Sequence, residues 1–191
     1  EINVLLKRSF DNGVTWPSQT TVWEDGKHTC GNPTPVVDEQ TGTIWLALTW
    51  NLGTDKEEAI MDGTSCDVRH CYMTKSSDDG ETWDNPWKIS DTTRRSHWRW
   101  FATGPGNGIQ FTRGPHAGRL VIPCNHSDHI HELQHPYRSH VIYSDDHGAS
   151  WSLGGVHEEK TNESAVVELA GGELLQSMRS YHDKGSRAMA K

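Results

Sequence analysis

Short hydrophobic runs dominate the pattern along this chain, and turns rich in glycine, proline, asparagine and aspartate separate them. Such runs favour β-strands, and no segment shows the sustained 3.6-residue period of a capped helix. The pattern therefore predicts an all-β fold. The segments predicted to carry strands are NVLLKRS (3–9), TPVVDEQTGTIWLALTW (34–50), RHCYMTKS (69–76), NGIQF (107–111), GRLVIPC (118–124), SHVIYS (139–144), SAVVELAGGELLQSMRS (164–180) and RAMAK (187–191).

One octapeptide pattern, S-x-D-x-G-x-[ST]-W, occurs three times between predicted strands, as SFDNGVTW (9–16), SSDDGETW (76–83) and SDDHGASW (144–151). In a hairpin connection, the aspartate can accept hydrogen bonds from turn amides, and the glycine can supply a positive φ. Trp16, Trp83 and Trp151 are expected to cap the hydrophobic layer beneath. These are folding roles and not chemistry.

The spacing of the octapeptides gives a period of about 70 residues with four short strands in each period. Radially stacked four-stranded sheets of this kind form a β-propeller. A stacked repeat cannot bury its apolar face alone, so three periods are expected to form only about half of a closed ring. Residues 1–191 are accordingly predicted to be an internal part of one propeller domain, with the remaining blades outside the chain.

Composition narrows the possible partners. The formal net charge is −8 and the isoelectric point is near 5.8, which argues against a nucleic-acid or anionic-membrane partner. The mean hydropathy is −0.75, and the apolar stretch at 43–50 is too short to cross a bilayer. The four cysteines contain no C-x-x-C pair, so we expect buried free thiols.

The octapeptide is the Asp box, and the stretches between the boxes resemble the sialidase (exo-α-neuraminidase) family. These stretches are GNPTPVVDEQTGTIWL, WFATGPGNGIQ, GPHAGRLVIPC, SHVIYSDDHGASW and NESAVVELAGGELLQSMRS. Together with the boxes, the resemblance covers essentially the whole chain. The resemblance implies a six-bladed propeller, with about three blade units in this chain, that cleaves terminal sialic acid from glycans. It also favours a secreted or periplasmic location, although the sequence itself leaves the compartment open. No cofactor and no metal are predicted, and the oligomeric state is left open.

The family's chemistry needs an arginine triad around the substrate carboxylate, a tyrosine nucleophile, a glutamate that activates it and an aspartate acid/base. By resemblance, NES followed by SMRS makes Glu163 the glutamate and Arg179 the second triad arginine. Taken singly, each could be an ordinary surface charge. The other members would lie before Glu1 or beyond Lys191, so the 191-residue piece alone is expected to be inactive.

Three further site residues follow from the resemblance. Asn32 stands where the family places an aspartate or asparagine near the acetamido group, although it could be a simple turn residue before Pro33. Glu57 stands in a long loop that reaches the pocket in some members, where Asp55 or Glu58 could replace it. Phe101 would supply an apolar wall to the sugar. The alternative for Phe101, as for Trp98 and Trp100, is packing within a blade.

Two other clusters favour ordinary structure over chemistry. The histidines of CNHSDHIHELQHPYRSH are His126, His129, His131, His135 and His140, and no cysteine or second pair completes a metal-ligand spacing. We expect a polar inter-strand loop there. RRSHWRW (94–100) mixes arginine with tryptophan, and we expect a pocket-side loop in which Arg95 or Arg99 helps to bind an anionic glycan.

Two alternative functions remain open. The boxes could belong to a non-catalytic carbohydrate-binding or protein-interaction propeller, because a fold does not by itself imply a function. The chain could also belong to a propeller glycosidase or lyase that acts on a different acidic sugar. The leading prediction is a retaining exo-α-sialidase acting on sialylated glycans.

Overall fold

The computed structural model describes residues 1–128, 137–182 and 185–191. Nearly all regular structure in these ranges is β, which confirms the predicted fold class, and the paired strands of its sheets are antiparallel. The strands are β1 (Val4–Lys7), β2 (Gln19–Trp23), β3 (Thr29–Asp38), β4 (Thr43–Asn51), β5 (His70–Ser76), β6 (Trp87–Lys88), β7 (Trp98–Thr103), β8 (Ile109–Gln110), β9 (Leu120–Asp128), β10 (Tyr137–Ser144), β11 (Ser152–Glu159), β12 (Thr161–Glu168), β13 (Leu174–Ser180) and β14 (Arg187–Ala190).

The strands form four sheets in chain order. The orders are β1-β2, β3-β4-β5-β6, β7-β9-β10-β11 with β8 beside β9, and β12-β13-β14. Each Asp box joins two adjacent antiparallel strands, since it follows β1, β5 or β10 and precedes β2, β6 or β11. The number of blades in a closed ring stays a prediction.

The core lies between successive sheets, as stacked repeats require. A larger cluster joins the β3–β6 sheet to the β7–β11 sheet and includes Trp45, Met73, Phe101 and Ile122. A smaller cluster, which includes Val4 and Leu48, joins the β1–β2 hairpin to the β3–β6 sheet. Central strands are buried along most of their length, so β4 and β9 have near-continuous buried runs. Apolar faces are thus buried by neighbouring sheets.

The three Asp boxes share one hydrogen-bond pattern. In the middle box, the Ser76 hydroxyl accepts from the Gly80 amide at 2.9 Å, and Asp78 accepts from the Thr82 amide at 2.9 Å. Asp78 also accepts from the Thr82 hydroxyl at 2.5 Å. The glycine and the residue before it both have positive φ, for example +78° at Gly80 and +58° at Asp79. The predicted folding role of the motif is therefore visible in its geometry.

The box tryptophans differ in how far they are covered. Trp151 is almost fully buried and Trp83 partly buried, as a capping role requires. Trp16 departs from the prediction, because 53% of its surface is exposed. Its indole instead folds over its own turn, where Nε1 donates to the Gly13 carbonyl at 3.2 Å.

The box aspartates should make stability depend on pH in the acid range. Hydrogen bonds from the Thr82 hydroxyl, and then from the Thr82 amide and Ser76, lower the pKa of Asp78 from 3.8 to about 2. A carboxyl group whose folded-state pKa is depressed stabilises the fold fully above pH 3.8, and this contribution is lost as pH falls through about 2. We expect Asp78→Asn to lower the urea midpoint of the intact protein at pH 6, with the difference from wild type vanishing towards pH 2. A gap that stays constant down to pH 2 would contradict this origin.

Short helices and one thiol depart from the sequence predictions. The expected loop around Glu57 contains helix α1 (Glu57–Asp62), and a second short helix, α2, spans Ser90–Thr93. Six residues are too few to show a helical period, but acidic Glu57 and Glu58 suit a first turn, and Gly63 closes the helix at φ +73°.

Of the free cysteines, three are buried as predicted, whereas Cys66 is exposed in the turn after α1. Within the described ranges, no helix is long and apolar enough to cross a membrane.

Candidate active site

A polar cleft of about 310 Å³ opens at the ends of the sheets opposite the Asp boxes. The cleft is lined by residues near the beginning of β3, β10 and β12, by the start of α1, and by residues of β7 and β9. Four of the five predicted site residues line it, namely Asn32, Glu57, Glu163 and Arg179. A larger cleft of about 610 Å³ lies between the β1–β2 hairpin and β3–β4, but its lining is mostly apolar. The polar cleft is therefore the stronger candidate for chemistry.

Glu163 and Arg179 lie on neighbouring antiparallel strands, β12 and β13. Arg179 Nη1 donates to Glu163 Oε2 at 3.0 Å, and each side chain is about half exposed, at 54% and 50%. The hydrogen bond to Glu163 further raises the pKa of the Arg179 guanidinium. The pair thus places one carboxylate and one permanent cation on the cleft wall, both reachable from solvent.

Hydrogen bonds and ring contacts fix this corner. Tyr181 lies two residues beyond Arg179. The centroid of the Tyr181 ring is 5.2 Å from the guanidinium carbon of Arg179. Asn162 Nδ2 donates to the Tyr181 hydroxyl at 2.9 Å. The Ser139 hydroxyl on β10 donates to the Asn162 carbonyl, which ties the start of β12 to the neighbouring sheet. The Glu163 backbone is therefore held from both sides.

Glu57 lines the same cleft and is held by Tyr137, whose ring centroid lies 6.2 Å from that of Tyr181. The Tyr137 hydroxyl donates to Glu57 Oε1 at 2.7 Å, although the two residues are distant in sequence. Burial and then the bond to Glu57 raise the pKa of Tyr137, so its phenol is a neutral donor at ordinary pH. Of the acidic candidates in this segment, Glu57 lines the cleft, whereas Asp55 accepts from the Asp67 amide.

Asn32 is bonded to Arg69, a residue that the sequence did not single out. Arg69 Nη2 donates to Asn32 Oδ1 at 2.6 Å, and the guanidinium carbon lies 4.2 Å from the centroid of the Trp100 ring. Burial lowers the pKa of Arg69 to about 10, an effect that nearby Glu57 partly opposes, so the side chain stays charged at neutral pH. The floor of the cleft therefore carries a second cation.

The prediction for Phe101 is corrected by the structure. Phe101 has no exposed surface and packs in the larger core cluster, 4.9 Å from the His140 ring. Trp98 is also buried there, whereas Trp100 lines the cleft. The segment RRSHWRW is thus not wholly a loop, because β7 begins at Trp98, and the described lining includes neither Arg95 nor Arg99.

Irregular strand pairing directs the site residues into the cleft. The register shifts between Gly31 and Thr34 in β3, between Trp98 and Phe101 in β7, and between Thr161 and Ser164 in β12. Asn32, Trp100 and Glu163 lie in these three shifts. β-Bulges re-aim side chains and are common beside active sites. The positive φ of +49° at Asn32 marks the same distortion.

Two histidines of the cluster lie in the core, and three lie outside the residues that the structure describes. His126 and His140 are fully buried, with their Nδ1 atoms 2.9 Å apart, and His126 stacks on Trp98. His129, His131 and His135 lie outside the described residues. Within the ranges described, no three histidine, cysteine or acidic side chains are arranged to hold a metal ion.

The other nine lining residues were not assigned to the site from the sequence, among them Arg69, Trp100, Asn125, Tyr137, Asn162 and Tyr181. Arg69 immediately precedes β5 and Tyr137 begins β10, at the same sheet ends as Asn32. Polar residues at the starts of strands that share one rim are a sequence signal from which Arg69 and Tyr137 could have been predicted. Trp100 and Asn125 carry no such signal.

Antiparallel sheets stacked in chain order, with Asp boxes on one rim and a cleft lined by arginines and carboxylates on the other, define an Asp-box propeller domain. The family model of the BNR repeat-like domain matches residues 1–191. The chain belongs to this family, and within it to the sialidase-type propellers.

Individual relatives agree with this assignment. The chain is 31% identical to a sialidase of Micromonospora viridifaciens over 98% of its own length, and 29% identical to a sialidase of Bacteroides fragilis over 99%. It spans 29% and 35% of those proteins. The Hadza microbial sialidase Hz136 superposes with a TM-score of 0.83 at 27% identity, covering 98% of this chain and 37% of the other.

Proposed function

We propose that the intact protein containing this chain is a retaining exo-α-sialidase that releases terminal sialic acid from glycoconjugates. The observation that carries the proposal is the Glu163–Arg179 pair, joined at 3.0 Å on the wall of a polar cleft. The sialidase names of the relatives support the substrate class. The cleft is at the lower end of the usual size range for small-ligand sites, in keeping with one terminal sugar.

Arg179 would bind the carboxylate of the sugar. A guanidinium has five N–H donors in a planar fork that matches the two oxygens of a carboxylate. The contact with Glu163 uses only Nη1, and half of the side chain is exposed, so a second acceptor can reach it. A ligand carboxylate and Glu163 can therefore share this one arginine.

Glu163 would act as the base for a tyrosine nucleophile that lies outside this chain. A carboxylate on the reacting carbon repels a carboxylate nucleophile, and a neutral tyrosine avoids that repulsion; sialidases are the known tyrosine exception among glycosidases. Glu163 would withdraw the phenolic proton as the oxygen attacks. Tyr137 does not suit this role, because its hydroxyl donates to Glu57 and its pKa is raised.

Glu57, Asn32 and Arg69 would bind the neutral, hydroxyl-rich part of the sugar. Glu57 is an acceptor for ligand hydroxyl groups, and Tyr137 orients it. Asn32 and Arg69 offer donors on the floor. Donors and acceptors that line one cleft suit a sugar, since each sugar hydroxyl both donates and accepts.

The test is turnover of matched fluorogenic glycosides by the intact protein. We expect release from an α-sialoside and none from the corresponding glucuronide, with the α-anomer of sialic acid as the first product seen by NMR. Cleavage of the glucuronide alone would assign the protein to another acidic sugar. Sialic acid binding without turnover would show a carbohydrate-binding propeller, and a β-anomeric first product would refute retention.

A further inference from the structure

Arg69 is a buried cation that interacts with Glu57 electrostatically but forms no ion pair with a described residue. It is 6% exposed, and none of the ion pairs among the described residues includes it. Its Nε is buried and has no hydrogen-bond partner there. A buried guanidinium is costly unless its donors are paired, so a side chain kept in this state has a positioning or ligand-binding purpose.

The bond from Arg69 settles which way the Asn32 amide points. A guanidinium has donors only, so the atom 2.6 Å from Arg69 Nη2 must be the amide oxygen. The Thr49 hydroxyl approaches the same oxygen at 3.3 Å. No described residue accepts a hydrogen bond from Asn32 Nδ2, and Asn32 itself is exposed at the cleft. The amide is therefore held with its oxygen inward, leaving both N–H groups for the cleft.

A second unpaired donor lies on the same floor. Asn125 is 2% exposed and lines the cleft, and its Nδ2 has no partner among the described residues. Asn125 pairs with Ala102 across β7 and β9, which places it beside the Trp100 segment against which Arg69 stacks. Two buried side chains, Arg69 just before β5 and Asn125 on β9, thus carry donors that lack acceptors among the described residues in one cleft.

We propose that Arg69 is a positioning residue that acts through Asn32, holding its amide so that the Asn32 N–H groups are presented to an oxygen atom of the ligand. The proposal rests on the sialidase function proposed above, and the ligand group is an uncharged acceptor, a hydroxyl or acyl carbonyl oxygen of the sugar. Arg179 is left for the carboxylate. Stacking on Trp100 restricts the orientation of the planar guanidinium while it holds Asn32.

The test is a double-mutant cycle on sialic acid binding, measured by calorimetry with the intact protein. Arg69→Met and Asn32→Ala are each expected to weaken binding by about tenfold, the worth of one good hydrogen bond. Because Arg69 acts through Asn32, the double variant should bind no more weakly than Asn32→Ala alone. Losses that multiply in the double variant would overturn the proposal.

Two controls separate this role from a structural one. Arg119→Lys removes another stacked guanidinium, 4.3 Å from the Tyr143 ring and outside the cleft, and should leave affinity unchanged. Arg69→Lys keeps the charge but cannot both stack and hold Asn32, so it should weaken binding in the same direction even if Arg69→Met fails to fold. Wild-type affinity in a folded Arg69→Lys variant would overturn the proposal. Absent binding by the wild-type protein would instead refute the sialidase function, and this inference with it.

Discussion

Replacing Glu163 with glutamine is expected to lower sialoside turnover by the intact protein about 10²–10⁴-fold, the usual contribution of a general base. Glutamine has nearly the same shape, and its amide oxygen can still accept from Arg179 Nη1, which now donates to Glu163 Oε2 at 3.0 Å. It cannot take a proton at neutral pH. Turnover should therefore fall while sialic acid affinity, measured by calorimetry, stays within a few-fold of wild type.

The matched control is Glu158→Gln, which makes the same chemical change at an exposed position on β11 outside the cleft. It should retain wild-type turnover and affinity. Unchanged turnover in Glu163→Gln would remove the base assignment. A parallel loss of affinity and turnover would instead indicate that Glu163 serves mainly to hold Arg179 in place.

The sequence located the Glu163–Arg179 pair because the two residues share one hairpin. The motif gave their identities by resemblance, and strand pairing between β12 and β13 needed no distant part of the chain. Glu57 and Asn32, which the resemblance also named as site residues, line the same cleft. Local segments with a fixed hairpin connection are the part of a site that sequence reasoning reaches.

The remaining floor of the cleft depends on register shifts that strict alternation does not predict. Without a shift, Trp98, Trp100 and every second residue of β7 would share one face. The irregularity between Trp98 and Phe101 instead buries both of those residues and leaves Trp100 in the cleft. Arg69 was missed for a related reason, because its partner Asn32 lies in another shifted strand and comes close only in the folded chain.

The sequence pattern also does not show that the glycines of the three Asp boxes lie in different surroundings. Their hydrogen bonds are equivalent, yet an added Cβ would meet different surroundings at each glycine. At Gly13 its nearest neighbour is Trp16 at 3.9 Å, and at Gly80 it is the flexible end of Leu6 at 3.3 Å. At Gly148 it would lie 2.1 Å from Trp45 Cε2, an indole that is 5% exposed in the core.

Gly148→Ala is therefore expected to lower the free energy of unfolding of the intact protein by about 2–4 kcal/mol, the sum of a positive-φ penalty and overpacking of the core. Gly13→Ala carries the same backbone penalty at φ +88°, without the clash, and should cost about 1 kcal/mol. Gly80→Ala should fall between them. Urea unfolding measures all three, and equal losses at Gly13 and Gly148 would show that the turn alone, not its contact with Trp45, sets the cost.

The folded fraction of each variant should keep wild-type turnover, because the boxes lie on the rim opposite the cleft. Loss of turnover in a folded Gly148→Ala protein would contradict a purely structural role for the boxes.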